Sequence, residues 1–173
     1  MTSGSPAEDL EFAAERWFPV AIDRVWAQCT SERGLERWWS PADLRTTVRH
    51  LDLRSGGEVD MVLRYVPALL GPKQKEAFRA AGIPISLNLR GKIRVLEPNR
   101  RLVFDLTLTL DRAGAGIQTV TELDFEPVSI GTKVRLIVMG KTDPHWVALG
   151  KANLEGQLDR LGRSLGDMSE SGR

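Results

Sequence analysis

From Thr46 to Gly140 apolar residues tend to recur at every second position, in runs parted by "RSGG", "PNR", "DRAGAG" and "PVSIG". After Asp143 the spacing changes to a single stripe of Val147, Leu154, Leu158, Leu161 and Leu165. Period two sends alternate side chains to opposite faces of a strand, while a period near 3.6 lines them along one side of a helix. Such a chain must bury one face of an antiparallel sheet, and the final helix is the long apolar stripe able to cover it. Six strands are predicted in "TTVRHLDL", "EVDMVLRYV", "ISLNLRGKIRVLE", "RLVFDLTLTL", "QTVTELDFE" and "TKVRLIVMG", with a seventh in "LEFAAERWF", which ends before Pro19. The short connections make most of this α+β fold a meander, and the glycines of "RSGG" permit the positive φ of a tight hairpin.

Helical spacing occurs in three further places. Ile22, Val25, Trp26 and Cys29 fall at i, i+3, i+4 and i+7, and Leu35, Trp38 and Trp39 repeat part of that pattern after Ser31 and Gly34, which predicts two short consecutive helices. The final helix starts with Asp143 as its cap and Pro144 at its first position. It carries Gly150, Gly156, Gly162 and Gly166, each costing roughly 1 kcal/mol relative to Ala. Four buried leucines at about 1.5 to 3 kcal/mol each outweigh them, so this helix packs on its own sheet and does not stand free as a coiled coil. The insertion 66–84 holds an extra short helix from Pro72 to Ala81, ended by Gly82. Its small face of Ala77, Phe78 and Ala81 suits either a lid or a surface elaboration anchored by Phe78. The whole reads as one domain over 10–168, with small polar tails at 1–9 and 169–173.

Composition excludes several functions. The 24 basic residues are balanced by 23 acidic ones, so no global charge attracts nucleic acid or an anionic membrane. One cysteine, Cys29, allows no internal disulfide, nothing near Met1 resembles a leader, and no apolar run approaches the roughly 20 residues of a membrane span. A soluble cytoplasmic protein is the expectation. His50 and His145 are isolated, without Cys or carboxylates at metal-ligand spacing, so no metal and no cofactor is expected. "GAGIQT" precedes a strand, not a helix, and reads as a hairpin turn. No nucleophile elbow or paired carboxylates occur, which weighs against an enzyme without excluding one.

On the strands Arg90, Lys92 and Arg94 share one face, Asp105 lies on the next strand, Glu122, Asp124 and Glu126 on the one after, and Lys133 and Arg135 on the last. Interleaved opposite charges describe a solvated outer face better than a basic patch. The opposite parity turns Leu89, Gly91, Ile93, Phe104, Leu106, Leu108, Leu123, Phe125, Val134, Leu136 and Val138 inward, joined by Met61, Leu63 and Tyr65. These line either a filled core or a cavity. On the last helix Trp146, Gly150, Asn153 and Gln157 fall along one flank of the leucine stripe: an aromatic wall, a missing side chain and two neutral hydrogen-bonding groups. That mixture suits a ligand pocket, although hydrated boundary residues would give it too. Neighbouring helix residues point about 100° apart. One of Trp38 and Trp39 is therefore expected to pack with Leu35 and Trp26 and the other to stand at the cavity rim, unless both cap the small-helix layer.

Pro19, Val25-Trp26, Leu35, Trp38-Trp39, "LDLRSGG", Gly91, "PNRRLVF", "GTKVRL" and Trp146 together resemble the START-like (SRPBCC, helix-grip) superfamily. The branch is the one similar to the C-terminal domain of the activator of the ninety-kilodalton heat-shock chaperone's ATPase. The resemblance spans about Leu10 to Leu165 and departs at Val66 to Pro84, longer than the usual hairpin connection. It implies a curved antiparallel sheet wrapped around the last helix with an apolar cavity between them, and no shared catalytic set. The candidate ligand-binding residues are Trp39, Met61, Tyr65, Phe78, Leu89, Phe104, Leu106, Phe125, Trp146, Gly150, Asn153 and Gln157. The expected function is binding of a small hydrophobic molecule as carrier or sensor. A cyclase-like or hydrolytic enzyme in the same cavity, or a chaperone-interacting module, are the alternatives.

Overall fold

The computed structural model describes residues 8–41, 43–80, 86–109, 116–142 and 147–170, with side chains described in these ranges except at 8–10, 78, 141, 142, 147–151 and 167–170. Strand β1 (Glu8–Phe18) is followed by helices α1 (Ile22–Thr30) and α2 (Glu32–Trp38). Strands β2 (Leu44–Leu51) and β3 (Glu58–Tyr65) follow, then a 3-10 turn at Pro67–Leu69 and helix α3 (Pro72–Ala80). Strands β4 (Ser86–Glu97), β5 (Arg101–Thr109), β6 (Gly116–Pro127) and β7 (Thr132–Thr142) complete the sheet, and α4 (Val147–Glu170) ends the chain. One seven-stranded sheet results, in the order β1-β7-β6-β5-β4-β3-β2, every pairing antiparallel. This is the expected meander, with β1 closing onto its last strand.

The turns form where their chemistry asks. Gly56 takes φ +81° in "RSGG", Gly131 takes φ +99° in "PVSIG", and Asn99 of "PNR" takes φ 58°, a conformation that asparagine tolerates. Gly91 has a different reason: a Cβ there would collide with the Asp105 carbonyl of the neighbouring strand, so β4 and β5 approach closely only because this residue has no side chain. Ser31 accepts a hydrogen bond from the Gly34 amide and so caps α2, which separates the two short helices.

The two faces of the sheet divide as their parity requires. Ile93, Phe104, Leu123, Val134 and Leu136 are buried inward, and Leu154, Leu158, Leu161 and Leu165 of α4 are buried against the same core. Outside, Arg94 pairs with Asp105, Arg90 with Asp60, Arg101 with Glu122 and Asp124, and Lys133 with Glu126. Lys92 stands opposite Asp105 and Asp124 opposite Arg135. The charged face is therefore a ladder of opposite charges.

Some boundaries shift. β1 begins at Glu8, inside the stretch expected to be a tail, because Glu8 and Asp9 continue the pairing with Thr142 and Lys141. α4 likewise runs to Glu170, one turn beyond the last leucine of its stripe and past the expected limit at 168. The insertion forms α3 as expected, ending at Ala80. Asp143, Pro144 and Trp146, the expected start of the last helix and its aromatic wall, lie outside the described residues, as do Ala81 and Gly82.

Candidate functional site

Both adjacent tryptophans are buried, Trp38 at 0% and Trp39 at 5% exposure. Trp38 ends α2 and its indole Nε1 donates to the Gln28 carbonyl of α1 at 3.4 Å, so it fills the space between the two short helices. Trp39 follows in αR geometry and turns its ring toward the sheet. That ring meets Phe104 edge-on at a centroid distance of 5.3 Å and lies 5.6 Å from Trp38. Their different directions were legible, but both directions lead into the core.

Of the other expected lining residues, Met61, Leu89, Phe104 and Leu106 come together on β3, β4 and β5: Met61 faces Leu89 across the ladder, Leu89 faces Leu108, and Gly91 faces Leu106. All four are buried. Tyr65 is half-buried beside Leu44 at the end of β3, and its phenol is pushed above the ordinary tyrosine range by burial first and by the charge of Asp43 second. Phe125 does not join them. It lies at the far end of β6, where its ring meets Trp26 of α1 edge-on at 5.2 Å. Phe78 belongs to α3, but its side chain lies outside the described residues, as does whatever surrounds Gly150.

Asn153 and Gln157 are half-buried on α4, and Gln157 is already engaged, because its Nε2 donates to the Trp39 carbonyl. One turn further on, Arg160 Nη1 donates to the carbonyls of Ser40 at 2.6 Å, Pro41 at 2.8 Å and Leu44 at 3.3 Å. Together these side chains fasten α4 to the corner between α2 and β2. Arg160 was missed by sequence reasoning; its signal was a cation one helical turn after Gln157, next to a leucine of the buried stripe.

The inner face is sealed unevenly. Leu102, Leu123 and Leu136 are almost fully buried, whereas Phe12, Leu108 and Val138, toward the β5–β6 end, are half-buried. A hollow of about 900 Å³ opens on the outer face, where Arg94, Asp105, Thr107, Gln118 and Met139 line it, with the Arg94–Asp105 ion pair in its wall. Among the described residues no cluster of three or more His, Cys, Asp or Glu side chains is arranged to hold a metal ion. Among them, too, no helix is long and apolar enough to cross a membrane.

Solved structures share this architecture. A protein from Chromobacterium violaceum is 20% identical, with 90% of this chain and 96% of that one covered at a TM-score of 0.67. A protein from Arthrobacter aurescens is 20% identical, covering 96% of this chain and 93% of that one at 0.68. An AHSA1-like protein from Aeromonas hydrophila is 19% identical, covering 92% and 94% at 0.65. At these identities the likeness concerns the fold. No curated protein matches. The model of the family described as Activator of Hsp90 ATPase homolog 1-like protein matches residues 19–166, from the end of β1 almost to the end of the leucine stripe, and the chain belongs to that family.

Proposed function

We propose that the chain binds a small hydrophobic molecule between the inner face of the sheet and α4, at the end marked by Leu108, Val138 and Phe12. The carrying observation is the uneven seal: the same apolar face is closed under Leu158, Leu161 and Leu165 and left half-open at this end. An apolar wall open at one end, with a few polar groups beside it, is what a ligand pocket requires. Two polar groups serve that purpose. The Thr46 hydroxyl on the inner face of β2 is buried without a hydrogen-bond partner among the described residues, and Asn153 on α4 is half-buried. The fold, which commonly holds hydrophobic ligands, supports the same reading.

A thermal-shift screen of fatty acids, aromatic polyketides, flavonoids and sterols tests it. A ligand that binds only the folded state stabilises it by about 2.7 kcal/mol at a hundredfold excess over Kd, which for a domain of this size raises Tm by roughly 5 to 10 °C. Leu108→Trp fills the half-open end, so it should abolish the shift while the unliganded protein still melts cooperatively. A hit that binds Leu108→Trp unchanged would remove this location, and no hit from any class would defeat the reading. The family description favours a second reading, a chaperone-interacting module, and a pull-down against the ninety-kilodalton heat-shock chaperone separates the two.

A further inference from the structure

Four arginines gather where α2, the start of β2 and α4 meet. Arg37 lies in the last turn of α2, Arg45 on β2, and Arg160 and Arg163 three residues apart on α4. Arg37, Arg160 and Arg163 wall a solvent-open hollow of about 240 Å³ together with Ser164, whose buried hydroxyl is already donated to the Leu161 carbonyl at 2.8 Å. Three acids of α2 and α4 are engaged elsewhere. Glu155 and Asp159 of α4 are held by Arg16 from β1, and Glu36 of α2 accepts from the Val48 amide. Among the described residues, no acid pairs with Arg37, Arg160 or Arg163.

The charges feel one another. The Arg160 guanidinium is held below its ordinary proton affinity by burial first, then by the charges of Arg45 and Arg163. Arg160 uses Nη1 on the loop carbonyls, and its other nitrogens make no hydrogen bond among the described residues. Three arginine side chains from two helices therefore line one hollow, and among the described residues no acid lines it. A planar carboxylate is satisfied by one fork, whereas a tetrahedral phosphate offers oxygens to donors arriving from several directions.

We propose that this corner is a binding site for a phosphate group, carried by a small soluble molecule or by an anionic lipid headgroup, with Arg37 and Arg163 closing on it from α2 and α4 beside Arg160. Binding would place a negative charge among mutually repelling guanidinium groups and so stabilise the junction of the two helices.

Calorimetric titration with inorganic phosphate, against chloride at equal ionic strength, tests the site, together with flotation on phosphatidylcholine vesicles with and without phosphatidic acid. The paired variant Arg37→Gln/Arg163→Gln removes two exposed side chains that make no hydrogen bond or ion pair among the described residues, so its melting should match or exceed that of the parent. Phosphate should bind saturably to the parent and about tenfold or more weakly to the variant. Arg163→Lys, which keeps the charge and loses the fork, should fall between and guards against misfolding of the pair. Binding of inorganic phosphate without flotation assigns a soluble ligand, and flotation that needs both phosphatidic acid and the arginines assigns a headgroup. Phosphate acting no differently from chloride with no flotation, or either binding surviving in the paired variant, overturns the proposal.

Discussion

Arg160→Met isolates the fastening of α4 to the α2–β2 corner, because methionine keeps most of the apolar stem and removes the guanidinium. Two short charge-assisted bonds are lost, to Ser40 at 2.6 Å and Pro41 at 2.8 Å, and a long one to Leu44 at 3.3 Å. Bonds to charged groups contribute roughly 1.5 to 3 kcal/mol each in mutational series. The two short ones set a gross loss of about 3 to 6 kcal/mol, sharpened at Ser40, which is only 1% exposed and whose carbonyl water cannot readily reach. Two effects offset this loss. A half-buried charge is removed, and with it the repulsion from Arg45 and Arg163. Each is on the order of 1 kcal/mol for charges that water still screens. The net expectation is destabilisation by about 1 to 4 kcal/mol. Urea unfolding followed by tryptophan fluorescence should show the midpoint falling by roughly 1 M at unchanged slope. In a double-mutant cycle Gln157→Leu should couple to it by at least about 0.5 kcal/mol, because the two side chains hold adjacent carbonyls. A variant as stable as the parent would show that the corner is hydrated freely, and a more stable one that repulsion dominates.

Leu158 is fully buried at the centre of the α4 stripe, so Leu158→Ala should cost about 2 to 5 kcal/mol and Leu158→Asp should prevent folding, as circular dichroism on heating would record; unchanged melting would mean the wrong helix face was assigned. Lys92→Glu, at an exposed position between Glu58 and Asp105, should alter stability by under about 1 kcal/mol, and a loss of several would contradict the solvated outer face. Burial raises the Cys29 thiol far above its ordinary range, so the folded state holds the neutral form while the unfolded thiol ionises near about 8.5. Its contribution to stability is therefore complete below that pH and lost as the pH rises above it, and a thiol reagent should label Cys29 only at the rate of opening; rapid labelling of the native protein would contradict this.

Seven strands, their order along the chain and both faces of the sheet were legible because period two runs along most of β3 to β7, interrupted at Val62, at Val103 and at the β4 irregularity between Ile93 and Val95, and the turn residues are unambiguous. Leu158 and Leu161 could be assigned inward from spacing alone. The α2–β2 corner was harder. The angle between successive helix residues gave Trp38 and Trp39 different directions, but not that α1 lies beneath one and Phe104 beneath the other; those neighbours are remote in sequence. For the same reason Gln157 reads as a polar group facing a pocket, since its partner is a backbone carbonyl, which leaves no mark on the side-chain pattern. Arg160 was invisible as a tie for that reason too. Phe125 was grouped with Phe104 by parity, and parity fixes the face of a sheet without fixing the position along it.

Along α4 the polar ties among the described residues fall within a short stretch: Glu155 and Asp159 bind Arg16 of β1 on one flank, and Gln157 and Arg160 bind the corner on the other. A helix clamped on both flanks there and sealed beneath by Leu154, Leu158 and Leu161 has little freedom left for a ligand to remove. A molecule entering the half-open end should instead act on the strand ends that border it. Hydrogen exchange measured with and without a ligand from the thermal-shift screen should slow at 106–109, 117–120 and 138–140, and change little over 155–165. Local openings supply exchange where backbone groups are weakly protected, and a ligand raises the cost of those openings by its binding free energy. The opposite pattern, with slowing confined to 155–165, would mean that the ligand sits under the clamped part of the helix, and the uneven seal would then have no bearing on binding.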